Sequence, residues 1–124
     1  MAVYGDRVYV SDRVADRIQV FDLDGNYILG WGQSGAGAGM FDEAWYVDVD
    51  VDGYVYVTDR GNHRIQKFTR DGEFLVVLDP VTTEMPASSY PTGIAVLQQD
   101  MVYVVSGLLN SVMEFIPPAY GGGD

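Results

Sequence analysis

Apolar residues along this chain come in short bursts rather than long stripes. Runs of five to seven residues rich in Val, Ile, Tyr and Phe are punctuated by Gly, Asp and Asn, and no stretch sustains a 3.6-residue apolar period between helix caps. The pattern predicts strands over residues 7–12, 17–22, 26–31, 45–51, 54–59, 64–69, 73–78, 92–98, 101–106 and 111–116, with residues 1–4 as a further short inner strand. Asp52-Gly53 and Asp71-Gly72 are turn dipeptides, because both residue types tolerate positive φ, and they predict tight antiparallel connections.

The bursts repeat with a period of 47 residues. Val8-Tyr9-Val10-Ser11-Asp12 aligns with Val55-Tyr56-Val57-Thr58-Asp59 and then with Val102-Tyr103-Val104-Val105-Ser106. Arg17-Ile18-Gln19-Val20-Phe21 aligns with Arg64-Ile65-Gln66-Lys67-Phe68 and with Ser111-Val112-Met113-Glu114-Phe115, and Asp24-Gly25 recurs as Asp71-Gly72. Each unit reads as four antiparallel strands, A to D. The short A–B and C–D turns lie at one end and the longer B–C and D–A connections at the other.

Four-stranded units at this spacing predict an all-β fold of β-propeller blades, about three per chain, in which each blade buries its faces against its neighbours. The blades fall at about 1–31, 45–79 and 92–116 within one segment, 1–124. The third is expected to lack its outer strand. The repeat places that strand from Tyr120 onward, where Pro117-Pro118 is followed by Tyr120-Gly121-Gly122-Gly123-Asp124. Residues 32–41, rich in glycine, read either as a flexible linker or as a tight blade-to-blade crossing anchored in the core by Phe41. Tyr9, Phe21, Val47, Val49, Tyr56, Phe68, Ile94, Val96, Tyr103 and Phe115 are the expected core.

The run Gly53-Tyr54-Val55-Tyr56-Val57-Thr58-Asp59-Arg60-Gly61-Asn62-His63-Arg64-Ile65-Gln66-Lys67-Phe68 resembles the NHL repeat, and so does Gly30-Trp31-Gly32 with the glycine-rich stretch to Phe41. The resemblance is strong in the first two units and faint in the third. Ala44 and Tyr46 stand where the family usually has Pro and Gly, a pattern kept by Pro91 and Gly93, and Ser106 and Ser111 replace the Asp and Arg of the earlier units. The resemblance implies a propeller usually of six blades. It also implies one of several roles: protein-interaction platform, RNA-binding regulator, sensor domain of bacterial receptors and kinases, or amidating lyase. Two such chains, paired as a homodimer, would supply the six blades.

Composition narrows these roles. The chain is 48% apolar, enough for a real core, and has no cysteine, which excludes disulfides and thiolate metal sites. Its formal charge of −11 repels a phosphate backbone over a screening length of about 8–10 Å, so neither nucleic acid nor an anionic membrane is an expected partner. No segment approaches 18 apolar residues, and the first residues show neither a basic n-region nor an apolar h-region, so localisation stays unassigned.

Four of the seven basic residues, Arg13, Arg17, Arg60 and Arg64, lie on or beside B–C loops, giving that end of the molecule local positive charge. Asp12 with Arg17, and Asp59 with Arg64, read first as cross-hairpin ion pairs that fix the loop. The second reading makes these arginines, with His63, a site for an acidic peptide or a carboxylate ligand through bidentate contacts. His63 is the one histidine, so a multi-histidine zinc site cannot form within one chain. Asp48, Asp50 and Asp52 before Gly53 give D-x-D-x-D-G. Strand alternation would put the three carboxylates on one face, opposite Val47, Val49 and Val51, where calcium would relieve their repulsion. The reading that comes first for the same residues is an inner strand entering its turn. The chain shows no cysteine nucleophile, G-x-S-x-G elbow, P-loop or dinucleotide fingerprint. The leading expectation is therefore a non-catalytic scaffold, without a cofactor, binding a protein, peptide or small ligand through its B–C and D–A loops. The alternatives are a lyase or hydrolase built on a central divalent cation, and a purely architectural propeller segment.

Overall fold

A computed structural model describes residues 1–80, 91–98, 101–106 and 111–116. The first unit comprises β1 (Ala2–Tyr4), β2 (Arg7–Asp12), β3 (Arg17–Asp22) and β4 (Tyr27–Trp31), paired in sequence order as one antiparallel sheet. The second comprises β5 (Ala44–Val49), β6 (Val55–Asp59), β7 (Arg64–Phe68) and β8 (Phe74–Pro80), again antiparallel and in order. The third comprises β9 (Pro91–Gln98), β10 (Met101–Ser106) and β11 (Ser111–Ile116). The last described strand, β11, pairs with the end of β8, Phe115 opposite Pro80 and Ile116 opposite Asp79, so the described strands of the second and third units form one seven-stranded sheet. That sheet doubles back on itself, and β9, at one end of the strand order, packs on β5 at the other.

The alternation of the strands explains how the units stack. On β2 and β3, Tyr9, Ile18 and Val20 point toward the second unit and meet Val47, Val55, Val57 and Phe68, all buried. Trp31 completes this layer, its ring 5.4 Å from Phe68 and 6.3 Å from Tyr9. The opposite face of the second unit presents Tyr56, Ile65 and Leu78 to Ile94 and Val96 of the third. Tyr9 and Tyr56 are thus equivalent residues at successive junctions. Each is fully buried, and burying an aromatic ring of this kind contributes about 1.5–3 kcal/mol.

Several expectations are refined. Val49, Ile94, Val96 and Tyr103 are half-buried, as is Phe21, which meets Tyr27 edge-on at 5.9 Å. The expected burial of Phe115 and the expected end of the third unit beyond Pro117-Pro118 lie outside the described residues. The glycine-rich stretch is a tight crossing. Gly35 N–H donates to Phe41 O, Phe41 N–H donates to Gln33 O, and the fully buried Phe41 ring lies 5.7 Å from that of Phe68.

The inner strand β5 ends at Val49 rather than at Val51. The reason is a turn used three times. In Asp22-Leu23-Asp24-Gly25, Asp50-Val51-Asp52-Gly53 and Thr69-Arg70-Asp71-Gly72 the glycine has φ of +88°, +91° and +96°, and its N–H donates to the carbonyl of the first residue. In each, the first side chain accepts the N–H four residues on: Asn26 to Asp22 Oδ1 at 2.8 Å, Tyr54 to Asp50 Oδ1 at 3.0 Å, and Glu73 to Thr69 Oγ1 at 3.1 Å.

Candidate functional site

The longer connections gather at one end, and their organiser is Asp59. This residue closes β6 opposite Arg64, and the chain between them makes a single 3-10 turn, Arg60–Asn62. His63 then takes the left-handed conformation at φ +54°, as its counterpart Asp16 does at +56°. His63 thus supplies the backbone geometry that returns the chain to β7. The Asp59 carboxylate is wholly buried, and four donors meet it. Asp42 N–H reaches Oδ1 at 2.7 Å, while Arg64 Nε at 2.8 Å, Asn62 Nδ2 at 2.9 Å and Gln66 Nε2 at 3.2 Å share Oδ2.

The same side chains hold the incoming crossing segment. Arg64 Nη2 donates to Gly37 O at 2.8 Å and Met40 O at 2.9 Å, Asn62 Nδ2 donates to Gly35 O, and Gln66 takes Gly39 N–H while donating to Met40 O. A charged hydrogen-bond network of this kind fixes one loop arrangement. Arg64 therefore acts as a clamp within the protein, joining Asp59 to the crossing segment.

In the first unit the equivalent pair is not made. Asp12 stands opposite Arg17 in register, but its carboxylate accepts from Val14 N–H, Ala15 N–H and Gln19 Nε2 at 3.0–3.1 Å. Arg17 forms no ion pair among the described residues. Its guanidinium lies beside Gly30, where a Cβ would come within 2.6 Å of its Nη2.

Arg13 and Arg60 converge on a residue that the sequence pattern did not single out. Their guanidinium carbons lie 4.2 and 4.5 Å from the ring centre of Trp45 at the start of β5. Arg60 also pairs with Glu43 at 2.9 Å, and Glu43 N–H is held by Asp16 Oδ1 at 2.8 Å. Arg13 is exposed and has no carboxylate partner among the described residues. The positive charge expected of four arginines is thus partly neutralised, Arg64 by Asp59 and Arg60 by Glu43, while Arg13 and Arg17 have no carboxylate partner among the described residues. A signal for Trp45 was present. Two arginines sit one repeat apart at the same loop position, and a tryptophan begins the inner strand between those loops.

The three aspartates do not converge. Asp48 Oδ1 accepts its neighbour Val49 N–H, and Oδ2 accepts Val96 N–H of β9 at 2.8 Å. Asp50 is buried in its turn and also takes the Tyr56 hydroxyl at 2.7 Å, while Asp52 sits on the exposed corner. The strand alternation that would have aligned them stops at Val49. Among the described residues no group of three His, Cys, Asp or Glu side chains is placed to hold a metal ion. The third use of this turn, with Thr69 in place of the first aspartate, shows the motif closing without a carboxylate there.

The family model of the NHL repeat matches residues 41–68, from the buried Phe41 through β5, β6 and β7 to Phe68. No curated protein matches the chain.

Proposed function

We propose that this chain is a non-catalytic propeller-type scaffold, its units standing as consecutive blades, which recognises an acidic peptide or protein segment at the loop end. The match to an NHL repeat supports a propeller-type domain. The observation that carries the ligand class is the exposed Arg13 guanidinium stacked on Trp45 beside Arg60. Stacking holds the planar fork in a defined attitude, so a carboxylate can be taken bidentately with little further ordering. The overall charge of −11 opposes such a ligand, but at physiological salt the screening length is about 8 Å, so nearby groups dominate.

A glutamate-rich peptide titrated into the protein should perturb Trp45 emission, a signal that Trp45→Phe removes. Arg13→Ala should weaken binding about tenfold, the loss of one charge-assisted contact of about 1.4 kcal/mol. Equal binding by the Arg13→Ala protein, or equal binding of a lysine-rich control peptide, would overturn the reading.

A further inference from the structure

Beyond ligand recognition, the two internal junctions follow one rule, and the two ends of the stack leave that rule half satisfied. At each junction the face carrying a central tyrosine and an isoleucine covers the valine-rich face of the next unit. Tyr9 and Ile18 cover Val55, Val57 and Phe68, and Tyr56 and Ile65 cover Ile94 and Val96. The first unit has its own valine-rich face. Val3, Val8, Val10, Gln19 and Phe21 share one side of β1–β3, as the pairings Val3 with Val8, Val8 with Phe21 and Val10 with Gln19 require. Their counterparts Val55, Val57, Gln66 and Phe68 are all fully buried, whereas Val8, Val10, Gln19 and Phe21 are half-buried and Val3 is 59% exposed. At the far end Tyr103, the counterpart of Tyr9 and Tyr56, is only half-buried, and Ala95, paired with it on the same face, is exposed.

We propose that the Val3–Val10–Phe21 face of one chain is the docking surface for the Tyr103–Ala95 face of a second copy, each of two chains offering both faces so that the pair closes about a twofold axis. The occupant follows from the chain's own packing. Each internal valine-rich face is covered by a tyrosine face of this sequence, and among the described residues one of each is left partly exposed. Reciprocal docking satisfies both at once and leaves no further face to propagate, as closed symmetry requires. Arg17 adds a polar cue. Among the described residues it has no ion pair, at the junction edge where, one repeat on, Arg64 holds two backbone carbonyls.

Val3→Glu and Ala95→Glu test this on the full chain, since both positions are exposed and a glutamate at either would sit in water were the face free. Sedimentation velocity at micromolar concentration should give the wild type twice the chain mass of 13.6 kDa. Each variant should dissociate to single chains, its dissociation constant raised about a hundredfold or more by an unpaired charge at the junction, with an unchanged strand spectrum by circular dichroism. Mixing the two variants should restore a mixed dimer, because one of its junctions is then wild type and both lesions fall in the other. A single-chain mass for the wild type, open-ended polymers, dimers that persist in either variant, or variants that fail to complement each other would overturn the proposal.

Discussion

The loop at residues 13–16 and the loop at residues 60–63 start from one plan, an aspartate closing one strand and an arginine and a glutamine opening the next. They end in different states. At the second loop the aspartate is buried under the crossing segment and its four donors are all engaged, while at the first the aspartate caps local backbone and the arginine has no ion pair among the described residues. The difference is not in the aligned residues Asp, Arg and Gln. It comes from what lies on top of them: residues 33–42 bring carbonyls and the Asp42 N–H onto Asp59, Arg64 and Gln66. A repeat sequence therefore sets the capacity for an interaction, and the neighbouring segment determines whether it is realised. Substitution Asn62 for Ala15 contributes too, since it adds a donor that reaches both Gly35 O and Asp59.

The largest test of this comparison removes each aspartate in turn. Asp59→Ala leaves Arg64 and its amide partners facing an empty carboxylate site in a buried setting, and should lower unfolding stability by about 3–5 kcal/mol. Asp12→Ala removes a turn cap at a half-buried position and should cost about 1 kcal/mol. Urea unfolding of the two variants measures the difference, and equal losses would show that burial under the crossing segment adds nothing to the shared plan.

What could be read beforehand divides along the same line. The strands were legible because alternation and Asp-Gly turns are local, and the Asp59–Arg64 pairing was legible because both residues flank one hairpin. Trp45 was legible only indirectly, through the shared loop position of Arg13 and Arg60, since these two guanidinium partners come from loops in different units and meet only when the units stack. The spacing of Asp48, Asp50 and Asp52 suggested a shared ligand face, yet the buried turn at Asp50 draws its carboxylate to Tyr54 N–H and Tyr56, and Asp48 turns to Val96 of the next unit. The glycine-rich crossing showed its glycines but not its acceptors, because backbone carbonyls have no sequence signature.

A second contrast sits at the opposite end of the units. Gly25 and Gly72 occupy the same turn at similar positive φ, but a Cβ at Gly25 would meet nothing within 4 Å, whereas at Gly72 it would meet the Trp31 ring at 2.6 Å. Gly25→Ala carries backbone strain alone and should cost about 1 kcal/mol. Gly72→Ala adds displacement of a core indole at the junction of two units and should cost about 2–3 kcal/mol, with altered tryptophan emission. Thermal unfolding followed by fluorescence compares them directly. Matching losses without a fluorescence change would mean that the turn, not the stacking of Trp31 on it, limits the side chain.

The smallest expected effect separates Asp22 from Thr69, which begin equivalent turns. Asn26 donates to the Asp22 carboxylate first through its backbone N–H and then through its side-chain amide, and together with Asp24 and Gly25 these contacts hold Asp22 below the ordinary aspartate range. A carboxyl group depressed in the folded state stabilises that state in full above its unfolded value, and the contribution disappears as pH falls through the folded value. Thr69 makes the equivalent contact to Glu73 N–H with a hydroxyl that does not titrate. Asp22→Thr therefore removes one source of acid sensitivity while keeping the turn. Because Asp22 lies at the surface, salt screens its effect, and the variant should differ from wild type only by a modestly shallower loss of melting temperature on acidification. Melting curves taken from neutral pH down into strong acid, at low and high salt, isolate this contribution, since every other carboxylate is common to both proteins. Superimposed pH profiles at low salt would show that the hydrogen-bonded charge at the first turn does no more than the neutral hydroxyl at the second.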